Sequence, residues 1–102
     1  MESRDLLGKK LRAILGSKNV YFQPPSSVKM HYPAIVYKIS ADEVRYADDR
    51  LYYRFKCYDV TYIDYDPDSP IPDRIREEIP YCSYNGHFVS DNLNHHIFKI
   101  YF

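Results

Sequence analysis

The sequence has no tryptophan, only three glycines, only two cysteines and no net charge over its 102 residues. Glycines at positions 8, 16 and 86 are too widely spaced for a glycine-rich phosphate-binding loop. Cys57 and Cys82 form no Cys-x-x-Cys pair, which favours two buried thiols over a disulfide or a metal site. Equal numbers of basic and acidic residues, 14 of each, provide no overall attraction to nucleic acid or anionic lipid.

Long hydrophobic runs are also missing. No apolar run approaches the roughly 18 residues of a membrane span, and residues 1–5 lack the pattern of a signal peptide. We therefore expect a soluble protein of the cytoplasm, without a membrane partner. The length predicts one domain with a modest core, because two smaller units would each bury too little surface.

Aromatic residues are abundant, with twelve tyrosines and five phenylalanines. Tyrosine is typical both of strands and of surfaces that become buried on association. Residues 51–65 form a strand-like run. Its odd positions predict a core face with Leu51, Tyr53, Phe55 and Cys57, but beyond Asp59 the larger apolar residues lie at even positions. Either a bulge shifts the phase, or something else covers the second face. Since the chain is small, we expect a protein partner there, with neighbouring subunits packing through Tyr58, Val60 and Tyr62.

Periodicity predicts an α+β fold with two helices and a mostly antiparallel sheet of about four to five strands, in the order α-β-β-β-α-β-β. Asn85-Gly86 could be a hairpin turn, but this would leave very short strands. The predicted elements are a helix over 3–15, a short extended piece over 19–23, strands over 32–39 and 51–65, a helix over 71–79, and strands over 81–89 and 95–102.

Candidate chemical sites are weak. The run Asp64-x-Asp66-x-Asp68-Ser69 begins like a calcium loop but has no Gly at its sixth position and no Glu at its twelfth. His95 and His96 point to opposite faces of a strand, so at most one of them could join His87 at a metal ion. We therefore predict no catalytic residue, no cofactor and no metal. The basic residues near 9–18 are better explained as the solvated side of the first helix.

Several segments together resemble the small tail-terminator or tail-completion proteins of long-tailed bacteriophages. The likeness extends over nearly the whole chain. It is carried by the amphipathic first helix and by Asn19-Val20-Tyr21-Phe22-Gln23-Pro24-Pro25, Tyr32-Pro33-x-Ile35-Val36-Tyr37, Tyr58-x-Val60-Thr61-x-Ile63-Asp64-x-Asp66-Pro67-Asp68-Ser69 and Phe88-x-Ser90-Asp91-Asn92-Leu93-Asn94-His95.

The resemblance implies a structural virion protein that forms a ring, hexameric in this family, on the last ring of the tail tube. Its other side would meet the head-completion proteins, and DNA would only pass through the lumen. A head-completion or adaptor ring below the portal is the alternative, and a small enzyme or nucleic-acid-binding regulator is more distant. For contacts with adjoining rings we predict the 24–31 loop and the 40–50 connection, with Pro24, Pro25, Val28, Met30, Asp48 and Asp49.

Overall fold

The computed structural model describes residues 3–40 and 56–102. Within these residues, two helices and one five-stranded sheet form a single α+β domain, and the predicted order of elements is confirmed. The elements are α1 (Ser3–Leu15), β1 (Val20–Phe22), β2 (Ala34–Ile39), β3 (Cys57–Asp64), α2 (Ile71–Glu78), β4 (Cys82–Ser90) and β5 (Leu93–Tyr101).

The strands lie in the order β1-β2-β3-β5-β4. β1 pairs with β2 in parallel, and the three other pairs are antiparallel. β3 therefore lies at the centre, with hydrogen-bonded neighbours on both sides. Among the described residues, β1 and β4 form the two edges of the sheet.

Helix α1 packs one apolar stripe against the sheet. Leu7, Leu11 and Ile14 are fully buried, as expected from their i, i+4, i+7 spacing. Gly8 allows a close approach, since a Cβ atom at this position would lie 2.6 Å from the hydroxyl oxygen of Tyr37. The helix ends at Gly16, whose φ of 75° is favourable for glycine and whose N–H donates to the Arg12 carbonyl.

The core lies between the helices and one face of the sheet. Tyr58, Val60 and Tyr62 are in its centre, with 0, 0 and 1% of their surface exposed. The predicted subunit interface on these three residues is therefore wrong. The prediction assumes that so short a chain has no element of its own to cover the second face of the long strand. In the structure, α1 and α2 cover the face of β3 that carries these three residues. The helices contribute Leu7, Leu11, Ile14, Ile75 and Ile79 to this cluster.

The opposite face of β3 carries Cys57 and Ile63, which are also buried, and the half-buried Asp59 and Thr61. From Cys57 to Asp64, both faces of this central strand therefore carry buried residues. The predicted core residues Leu51, Tyr53 and Phe55 and the predicted interface residues Asp48 and Asp49 lie outside the described residues.

A tight turn connects β4 and β5. Asp91 and Asn92 have φ values of 54° and 63°, and Ser90 pairs with Leu93. Two positive φ angles in a two-residue loop are typical of a type I′ hairpin turn. Gly86, with φ of 144°, instead lies at a bulge within β4, so the alternative turn at Asn85-Gly86 is wrong.

Polar side chains hold the segment between β3 and α2. The Tyr62 hydroxyl donates to Asp64 Oδ2 at 2.6 Å and lies 2.8 Å from Ser69 Oγ. Ser69 Oγ also accepts from the Ile71 N–H at the start of α2, and Asp66 Oδ1 accepts from the Asp68 N–H. The residues that resembled a calcium loop thus serve a turn and a helix start.

Candidate functional site

The outer edge of β4 is the most unusual surface among the described residues. The strand has nine residues, and one side of it pairs with β5. No described residue pairs with the other side. At about 3.3 Å per residue, an edge of roughly 30 Å can accept hydrogen bonds from a further strand.

Apolar side chains are concentrated along this edge. Eight large hydrophobic residues are exposed in the described parts of the chain, and four of them lie within residues 81–89. Phe88 and Val89 are the most open, with 48% and 59% of their surface exposed, and Tyr81 and Tyr84 are exposed less. Such a concentration is typical of a surface that contacts another protein.

The edge also has few protective features. Natural edge strands are commonly short, charged, interrupted by proline or bent by a bulge. β1, at the other edge, has three residues and is followed by Pro24 and Pro25. β4 is three times as long, contains no charged residue and no proline, and has only the bulge at Gly86.

On the helix side of the β4–β5 hairpin, polar rings form a connected row. The Tyr84 hydroxyl lies 3.0 Å from His96 Nδ1, and the rings of His87 and His96 stack with centroids 4.6 Å apart. The His87 Nε2–H donates to Asn94 Oδ1 at 3.1 Å. The guanidinium of Arg76 in α2 lies over the Tyr84 ring, 5.1 Å from its centroid.

This environment favours neutral His96. Burial lowers the pKa of His96, and the nearby His87 and Arg76 lower it further. The neutral ring can accept a hydrogen bond from the Tyr84 hydroxyl at Nδ1. It can also stack on His87 without adding a positive charge of its own. These ring contacts therefore link β4 to β5. Neutral His96 also contributes no positive charge beside the apolar edge.

The other face of the hairpin contains a second ring pair. Phe88 stacks on His95 with centroids 4.4 Å apart and an interplanar angle of 8°. This cross-strand contact holds one face of the Phe88 ring, while about half of the side chain stays exposed. The Phe88 ring consequently has a cross-strand partner within its own chain.

The thiols have little nucleophilic character. Burial raises the pKa of Cys82 to about 11 and also raises the pKa of Cys57. Since the thiolate is the nucleophile, both groups are poorly suited to covalent catalysis at neutral pH. Cys82 borders a shallow recess of about 200 Å³ together with Pro80, Tyr81, Ser83 and Tyr101.

Within residues 3–40 and 56–102, no group of three or more His, Cys, Asp or Glu side chains is arranged to hold a metal ion. His95 and His96 point to opposite faces of the sheet, as the strand periodicity predicts, and His87 stacks on His96.

The other predicted contact residues lie in the loop between β1 and β2. Pro25 and Val28 are exposed there, and Pro24 and Met30 are half-buried. The loop is joined to β1 by a hydrogen bond from the His31 N–H to the Tyr21 hydroxyl. It lies beyond the end of β1 and not within the β4 edge, so the structure leaves two separate candidate contact surfaces.

Sequence reasoning overlooked β4 as a contact surface. One signal was present: residues 81–90 contain no Asp, Glu, Lys or Arg in a chain that is 27% charged. A charge-free strand is equally expected at the centre of a sheet. Only the strand order shows that this one lies at an edge.

The described residues contain the helices α1, with 13 residues, and α2, with eight. Neither helix is long and apolar enough to span a bilayer.

Comparisons of the chain with protein-family models, curated proteins and solved structures produced no match.

Proposed function

We propose that this chain is a structural protein of the bacteriophage neck, which forms a ring on the end of the tail tube and joins the tube to the head-completion proteins. The resemblance of its segments to tail-terminator proteins suggests this role. The β4 edge is the observation that carries it, because it offers a long, ordered and uncharged surface to another protein.

Self-association requires a surface that can lose its water at low cost. The β4 edge has no charged side chain to desolvate, and its exposed Tyr84, Phe88 and Val89 supply apolar area. Backbone groups on its outer side, which pair with no strand of the described segments, provide hydrogen bonds and direction. We therefore place the contact between neighbouring subunits at β4, in place of the buried Tyr58, Val60 and Tyr62.

The oligomeric state tests this proposal. Sedimentation and light scattering of the full chain, alone and with a tail-tube protein, should give a closed species containing six chains. Electron microscopy should show that species at the end of the tube. A chain that stays monomeric at high concentration and in the presence of tube protein would contradict the proposal. Binding to a portal assembly in place of the tube would move the chain to the head-completion class.

A further inference from the structure

The segment between β1 and β2 ends in a strand-like pattern that no described strand pairs with. Val28, Met30 and Tyr32 are apolar at alternate positions, and Lys29 and His31 between them are polar. This alternation is typical of a strand with one covered face. The structure nevertheless begins β2 only at Ala34, so residues 28–32 belong to neither a helix nor a strand of their own chain.

The start of this segment is accessible and its end is anchored. Val28 has 38% of its surface exposed. No hydrogen bond joins the backbone of Lys29 or Met30 to another described residue. The His31 N–H donates to Tyr21, and the Tyr32 ring contacts the Tyr65 ring with centroids 6.0 Å apart. The segment is thus fixed in place while part of its backbone is available for pairing.

The charges of the two surfaces are compatible. β4 contains no Asp, Glu, Lys or Arg, and Lys29 is the one such residue within 28–32. Pairing the two therefore brings no like charges together. The five residues of the segment also fit within the nine of β4.

Symmetry favours this partner over a second β4. Two β4 edges pairing with each other would form a twofold contact, which closes at a dimer. A contact between two different surfaces is head-to-tail, and it closes into a ring when the rotation between neighbours is suitable.

We propose that the outer edge of β4 in one subunit pairs with residues 28–32 of the next copy of this chain. The inference rests on the proposed function, since it names both halves of the ring contact. The occupant of the β4 edge is then a strand whose backbone pairs with β4 and whose Val28 and Met30 side chains lie on one face of the extended sheet.

Two single substitutions test the pairing by complementation. Val28→Asp damages the segment and leaves β4 intact, whereas Val89→Asp damages β4 and leaves the segment intact. Both positions are exposed, so far-ultraviolet circular dichroism and thermal unfolding should match the unsubstituted chain. Ser27→Asp, at an exposed position just before the segment, is the control for added charge and should assemble normally.

We expect each variant alone to sediment as a monomer, with self-association weakened at least about tenfold, since one misplaced charge at an interface easily costs the ~1.4 kcal/mol that this requires. An equimolar mixture should form a 1:1 dimer through the one intact pair of surfaces, with no larger ring.

The remaining outcomes overturn the inference. Assembly of Val28→Asp into rings would show that residues 28–32 are not part of the contact. A mixture that stays monomeric while the unsubstituted chain forms rings would show the same. Neither result would contradict the proposal that the chain forms a ring. A dimer of Val28→Asp alone would indicate β4 pairing with itself. An unsubstituted chain that remains monomeric would overturn both this inference and the proposed function.

Discussion

β3 and β4 both contain aromatic residues and valine, but β3 lies at the centre of the sheet and β4 at its edge. Tyr58 in β3 is fully buried under the helices, whereas Phe88 in β4 has about half of its surface exposed. β3 has a hydrogen-bonded strand on each side, and β4 has one on a single side among the described residues. An aromatic residue in a strand therefore indicates burial at the centre of the sheet and a contact surface at its edge.

The largest expected effect separates these two positions. Tyr58→Ser should lower the free energy of unfolding by about 3–5 kcal/mol, because it removes a large side chain from a fully packed core. Urea unfolding followed by circular dichroism measures this change. A folded Tyr58→Ser protein of normal stability that no longer assembled would restore the interface role to β3.

A backbone substitution tests how β4 is shaped. Gly86→Ala should lower the free energy of unfolding by about 1–3 kcal/mol, because φ of 144° is strained for a residue with a side chain. Asn85→Ala is the matched neighbour, since Asn85 is exposed and its φ is not positive. Thermal unfolding of both variants is the measurement. Equal melting temperatures would mean that the bulge does not need glycine.

Phe88→Ser is the counterpart of Tyr58→Ser at the edge. Its cost to unfolding should stay below about 1 kcal/mol, the range of a cross-strand pair such as Phe88 with His95. Its self-association should nevertheless weaken, as measured by sedimentation equilibrium. Normal assembly by this variant would remove Phe88 from the contact surface.

The smallest effect concerns pH. The pKa of His96 is lowered in the folded chain, so the unfolded chain binds more protons and stability falls as pH drops. The loss begins near the ordinary histidine value of about 6.5 and ends at the lower folded value. The groups facing His96 are His87 and Tyr84 of β4, Tyr62 of β3, and Arg76 and Asp73 of α2.

Unfolding at pH 7.5 and pH 5.5 measures this dependence. His96→Gln should lose less stability between the two pH values than the unsubstituted chain, because it lacks the titrating ring. An identical loss in both proteins would show that His96 does not contribute.

Local patterns were sufficient for much of the fold. The spacing of Leu7, Leu11 and Ile14 predicts α1 and its buried stripe, and Gly16 predicts the end of the helix. The candidate contact surface was predicted incorrectly because the same chemistry occurs at the centre and at the edge. Tyr58 and Phe88 differ little as residues, and their surroundings depend on strands that are distant in sequence.

The amino-acid sequence alone determined which segments are helices or strands, because periodicity and turn residues act over a few neighbours. It also determined that residues 81–90 carry no charge. Only the tertiary structure decided that α1 and α2 cover Tyr58, Val60 and Tyr62 and that β4 lies at the edge. The physical reason is that strand order and helix packing depend on contacts between distant segments, which bury one apolar strand and leave another available to a partner.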